Sequence, residues 1–210
     1  MRDPKRLIYV FPAAAILIFV GAGPASATVI CENNQETGCT SKQAIGAENS
    51  FSLVSGSTAT LSTTAGILED TCSSSTVTSK VTNAGNSTTT VVTSIANSSL
   101  TWGGCTDPTK TLTGGEGETH HISGTTNGTG TAKGFAVTVS ISGLDCAYGA
   151  GTGIDTGFFK PGVGGKDGVL QGSVVIKRNN EHSIVFCPET AKFSASYTQT
   201  STTPIYIAAN

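Results

Sequence analysis

Apolar and polar residues alternate with a period of two through much of the chain. In "GFAVTVSIS", Phe135, Val137, Val139 and Ile141 fall on one face while Ala136, Thr138 and Ser140 fall on the other, which predicts a half-buried strand. "KFSASYTQT" repeats the pattern, with Phe193, Ala195 and Tyr197 opposed to Lys192, Ser194 and Ser196. "STATLSTTAG", "STVTSKVTNAGNSTTTVVTSI" and "SLTWGGC" add short strands separated by Gly, Asn and Ser. "GSVVIKRNNEHSIVFC" sets Asn179-Asn180 between two β-branched runs and predicts a hairpin with His182 close to its bend. After Ala27 no segment places apolar residues at helical spacing with capping signals. The prediction is an all-β fold: a mostly antiparallel, Ig-like β-sandwich stapled by disulfides, with a β-barrel as the alternative.

Two stretches break the alternation. "YGAGTGIDTGFFKPGVGGKDG" is too glycine-rich for a continuous strand and reads as a long connection with a short strand near Phe158. The loops between residues 149 and 168 are accordingly the expected contact surface. At the other end, Arg2, Lys5 and Arg6 precede an apolar run from Leu7 to Val20, and Ala25-Ser26-Ala27 supplies the small residues of a signal-peptidase site. Pro12 and Pro24 interrupt this run, which argues against a retained membrane anchor. Ile30 stands where lipidation of Cys31 would require a small residue. The expected organisation is a signal peptide at 1–27, an N-terminal extension at 28–50 with a small disulfide loop, and a β-sandwich domain at 51–210. No membrane span is expected once the signal is removed.

Without Arg2, Asp3, Lys5 and Arg6, nine basic and thirteen acidic side chains remain, a net charge of −4, and no basic run occurs. Nucleic acid and anionic lipid are therefore poor partners, since both reward concentrated positive charge. Cysteines 31, 39, 72, 105, 146 and 187 are even in number, and an exported chain folds where thiols oxidise. Six cysteines allow fifteen pairings, among which sequence does not choose. The expected one is sequential, Cys31 with Cys39, Cys72 with Cys105 and Cys146 with Cys187, because each pair would tie neighbouring segments. No CxxC or Cys/His spacing points to zinc.

Candidate chemistry is sparse. In an extended "EGETHHI", Glu116, Glu118 and His120 project from one face, and Thr119 and His121 from the other. The first three form a candidate metal set of carboxylates and imidazole. Gly114, Gly115 and Gly117 instead point to a turn around the glutamates. Because Ile122 shares the face of His120, the competing and favoured reading makes His120 a partly buried strand residue and His121 a solvent-facing one. There is no G-x-S-x-G elbow and no S-x-x-K pair. Asp145, Asp155, Asp167 and Glu181 could supply a glycosidase pair only by accident of folding. "GVGGKDG" is no phosphate loop, since Lys160 stands where its first glycine belongs and Asp167 follows Lys166. Asp155 and Asp167 are too sparse for calcium. Trp102, the sole tryptophan, suits a core plug beside a cystine better than a sugar-stacking platform. Asn86, Asn97 and Asn127 open N-x-[ST] triplets of the kind such a composition produces by chance.

From Cys72 to Ile207 the chain resembles a group of uncharacterised exported bacterial β-rich proteins. The shared landmarks are "TCSSSTVTSKV", "LTWGGC", "HHISGTTNGT", "GFAVTV" leading to "CAYGAGTG", "FCPETAKFSASYTQTSTTP" and the closing "PIYI". The resemblance implies export and supports the pairings Cys72 with Cys105 and Cys146 with Cys187; Cys31 and Cys39 lie outside it. It carries no known activity, ligand or catalytic residue. The functional expectation is an exported, non-catalytic binding or structural module of the cell envelope or extracellular space, without a cofactor, whose partner is an envelope or extracellular protein or a glycan. The alternatives are a metal-binding protein or metallohydrolase using Glu116, Glu118 and His120, and a glycan-binding or glycan-cleaving protein.

Overall fold

The computed structural model describes residues 27–63, 69–86, 89–141, 143–149, 155–160, 169–179, 183 and 186–210. Residues 1–26 of the expected signal peptide, the Gly-rich segments 150–154 and 161–168, Glu181 and His182 lie outside them. Among the described residues no helix is long and apolar enough to cross a membrane. The strands are β1 Thr28–Cys31, β2 Glu48–Leu53, β3 Ala59–Thr63, β4 Glu69–Ala84, β5 Val91–Ser94, β6 Leu100–Cys105, β7 Thr109–Thr113, β8 Glu116–His121, β9 Gly128–Lys133, β10 Ala136–Ile141, β11 Leu144–Gly149, β12 Asp155–Lys160, β13 Val169–Lys177, β14 Thr190–Gln199 and β15 Tyr206–Ala209. All their ladders are antiparallel. The all-β, antiparallel class holds as expected.

The long strand β4 organises the body. β2 and β3 follow one another along one of its edges, and β5 and β6 along the other. From β5 the ladder continues through β8, β9, β12 and β13 to β14, which pairs in turn with β2 and β3. The strand path thus comes back to β4, yet it is not a regular closed barrel. Its flanking strands are interrupted at 54–58 and 95–99, and a separate three-stranded sheet, β7-β10-β11, packs at the β3 and β6 end. "WGGC" makes the β4–β6 passage possible: Gly104 holds φ 57°, and a Cβ there would collide with Ser73 Oγ.

Two apolar cores result. The larger includes Phe51, Val77, Val81, Val91, Leu100 and Tyr197; the smaller packs Val137, Val139, Cys146 and Tyr148 of the three-stranded sheet against Leu61, Ile176 and Ala191. Each fully buried valine contributes on the order of 1.5–3 kcal/mol relative to exposure. Trp102, Phe135 and Phe193 belong to both cores and form the septum between them. Their ring centroids are separated by 5.6 Å for Trp102–Phe193 and 6.0 Å for Phe135–Phe193. Trp102 is the core plug expected of it.

A two-stranded ribbon of β1 and β15 caps the larger core. Ile30, Ile205 and Ile207 face that core, while Val29, Cys31, Tyr206 and Ala208 pack as a third cluster with Cys39. The sequence boundary at residue 50 is not a structural one, because β2 spans it and pairs with both β4 and β14. All three disulfides are the sequential ones: Cys31–Cys39, Cys72–Cys105 and Cys146–Cys187. Three cystines are the mark of oxidising surroundings.

One strand expectation changes in detail. β14 alternates as predicted, but β10 is buried on both faces over Ala136–Val139, because its second face carries the compact Ala136 and Thr138. β13 pairs with β12 and β14, and the hairpin expected around Asn179-Asn180 runs through 180–182 and 184–185, which lie outside the described residues. Cys187 is bonded to Cys146, and its carbonyl accepts a hydrogen bond from the Arg178 guanidinium at 2.7 Å.

Candidate functional site: a cavity in the larger core

The β8–β9 hairpin sets small residues against the larger core. Its register opposes Gly117 to Ala132 and Thr119 to Gly130, so these four share the inner face by the period of two. All four line a cavity of about 230 Å³. Ile30, Ile205 and Ile207 of the capping ribbon border it, as do Trp102, Phe135 and Phe193 of the septum. Interiors are normally packed to the density of organic crystals, with few voids larger than a water. Here four neighbouring wall positions carry nothing larger than threonine.

Most polar side chains around this space are already paired. Asn49 and Gln43 exchange two side-chain hydrogen bonds, at 2.9 and 3.1 Å. The Tyr197 hydroxyl lies 3.0 Å from Ser75 Oγ, and burial pushes its pKa up to about 12. Trp102 Nε1 donates to Thr111 Oγ1 at 2.9 Å. The indole is therefore held inside, not displayed for stacking on a sugar.

Glu116, Glu118 and His120 share a face, as alternation predicts, and it is the outer one. Glu118 accepts a hydrogen bond from Lys133 Nζ on Oε2 at 2.6 Å and one from the Thr90 hydroxyl on Oε1 at 2.8 Å, and His120 Nε2 lies 3.5 Å from that same Oε1. The Lys133 hydrogen bond is the main reason its carboxyl titrates below the usual glutamate range, and the same bond raises Lys133. Lys133 and Thr90 thus engage both oxygens of this carboxylate from within the chain. Among the described residues the only three potential ligand atoms within 4.8 Å of one another belong to Asp70, Cys72 and Cys105, whose sulfurs are joined in a disulfide. Glu116, Glu118 and His120 do not converge in this way.

His120, its side chain 42% exposed, is the partly buried strand residue expected, whereas His121 is buried rather than solvent-facing. Ile122, which suggested the opposite, lies beyond the end of β8. His121 Nε2 lies 2.6 Å from the Thr125 carbonyl oxygen, which can only accept, so the proton is on Nε2. Its backbone N–H donates to Thr28 Oγ1 at 3.0 Å, which ties β8 to the ribbon. Of the carboxylates considered as a glycosidase pair, Asp145 is exposed and bonded to Ser140; Asp167 and Glu181 lie outside the described residues, as does the Asp155 side chain. The cavity wall was missed because its glycines read as a turn. The available signal was small residues recurring at every second position in "GETH" and "GTGTA".

Fold and cavity together define the class: an antiparallel β protein, stapled three times, with an apolar chamber in its larger core. Compared with family models, curated proteins and solved structures, the chain matches none.

Proposed function

We propose that the protein is an exported, non-catalytic binding module that holds a small ligand inside the larger core. The cavity carries this reading. The space is about 230 Å³ with an almost wholly apolar lining, and an unfilled apolar space forgoes the packing contacts that its walls could make. A β8–β9 wall of ordinary valines or leucines would supply such contacts, so its small residues make sense if the space is used. Export is supported by the leader-like residues 1–27 and by the three cystines. The test is thermal unfolding of the disulfide-intact protein with and without saturating naphthalene. A ligand that binds only the folded state must raise the midpoint. The rise is expected in the parent and absent in Ala132→Leu, which places an isobutyl group in the chamber. Equal midpoints with and without naphthalene in the parent would remove the reading.

A further inference from the structure

We infer that the chamber selects an uncharged, compact, mainly apolar molecule of one or two rings, with one hydrogen-bonding group directed at Thr93. This rests on the binding reading above and adds the chemical class of the ligand.

Size sets the first limit. An apolar cavity of about 150 Å³ accepts benzene, whereas sites for drug-sized molecules run from about 300 Å³ upward. At about 230 Å³ the chamber lies between them, a volume suited to a bicyclic or short branched skeleton and too small to enclose a long acyl chain.

Charge sets the second limit. Among the described residues Glu118 is the only charged one bordering the space, and its carboxylate is engaged by Lys133 and Thr90. An ionised ligand would be stripped of water without meeting a counter-charge, which is strongly unfavourable. The pairs Asn49–Gln43, Tyr197–Ser75 and Trp102–Thr111 likewise use the polar atoms that could have received a polar ligand.

Thr93 and Thr119 differ from these. They sit on adjacent strands of the same wall, where β5 pairs with β8 so that Thr93 opposes Gly117 and Val91 opposes Thr119. Neither hydroxyl hydrogen-bonds within the described chain, and neither is sealed from contact. Thr93 Oγ1 would lie only 2.9 Å from a Cβ placed on Gly117, which directs it along the inner surface. It is thus a hydroxyl aimed into an otherwise apolar space, where one donor or acceptor on a ligand would be satisfied.

Equilibrium dialysis of the disulfide-intact protein against naphthalene, 2-naphthol and 2-naphthoate tests the assignment. One-site binding is expected for the first two. A single neutral hydrogen bond should favour 2-naphthol over naphthalene by about fivefold, and 2-naphthoate should bind at least about 100-fold more weakly than 2-naphthol. Thr93→Val should erase the naphthol preference and leave naphthalene affinity unchanged. Ala132→Leu should abolish both, and Ala195→Leu on the opposite wall serves if the first variant does not fold. If naphthalene binds but naphthoate matches naphthol, or Thr93→Val keeps the preference, the ligand class is wrong and the binding reading stands. If naphthalene does not bind, or binds equally to the filled variants, both fall.

Discussion

Alkaline conditions should weaken this protein through one buried phenol. Tyr197 is 5% exposed at the wall of the larger core, and burial, only partly opposed by its Ser75 hydrogen bond, pushes its pKa up to about 12. In the unfolded chain the same phenol titrates near 10. Between these values the unfolded state has lost the proton and the folded state keeps it, so stability must fall as pH rises. Below pH 10 this contribution is fully present. It is lost progressively up to pH 12, about 3 kcal/mol in all and about 1.4 kcal/mol by pH 11. Urea unfolding at pH 8, 10 and 11 measures it, with denaturation followed by far-ultraviolet circular dichroism to avoid the tyrosinate absorption band. Tyr197→Phe should cost about 1 kcal/mol at pH 8 through the lost hydrogen bond and should then show a shallower alkaline decline. Tyr148 is also raised by burial, so some decline remains in the variant. Identical declines in the parent and Tyr197→Phe would refute the reasoning.

Two further perturbations probe the scaffold. The buried Asp70 carboxylate accepts the Asp107 N–H at 2.9 Å and the Thr109 hydroxyl at 2.5 Å, clamping the β6–β7 connection to β4. Asp70→Ala should cost about 3 kcal/mol in urea unfolding, and Asp70→Asn less, since it keeps one acceptor. Among the disulfides, Cys146–Cys187 closes a separation of 41 residues and Cys31–Cys39 one of 8. Loop-closure entropy puts their worth at about 4 and about 2.5 kcal/mol; paired Cys→Ser variants should rank in that order by thermal unfolding, and the reverse order would contradict it.

How far the sequence reveals this molecule depends on how local the deciding force is. The alternation of Phe193, Ala195 and Tyr197 is a property of one strand, and β14 follows it residue by residue. The outer set Glu116, Glu118 and His120 is likewise correctly grouped by period alone. Which side is inner is a different matter, since it depends on what packs against the strand. His121 is buried because β1 and the 122–127 turn meet it, and neither is visible from "THHIS". The Cys146–Cys187 cystine is invisible to local pattern for a related reason, since it joins residues 41 apart in sequence. The chamber is the least legible feature. Small residues at alternate positions are present in the chain, but their meaning appears only when β5, β8 and β9 are placed side by side around the larger core.

The pairing of β1 with β15 orders events in time. Thr28–Cys31 are synthesised long before Tyr206–Ala209, yet each is the other's ladder partner. Ile30 therefore has no neighbour in Ile207 until every strand between them has been made, and contacts this distant in sequence form late. The chamber's roof is consequently assembled after its walls, so a chain cut before Ile205 would retain walls and septum but stay unlidded.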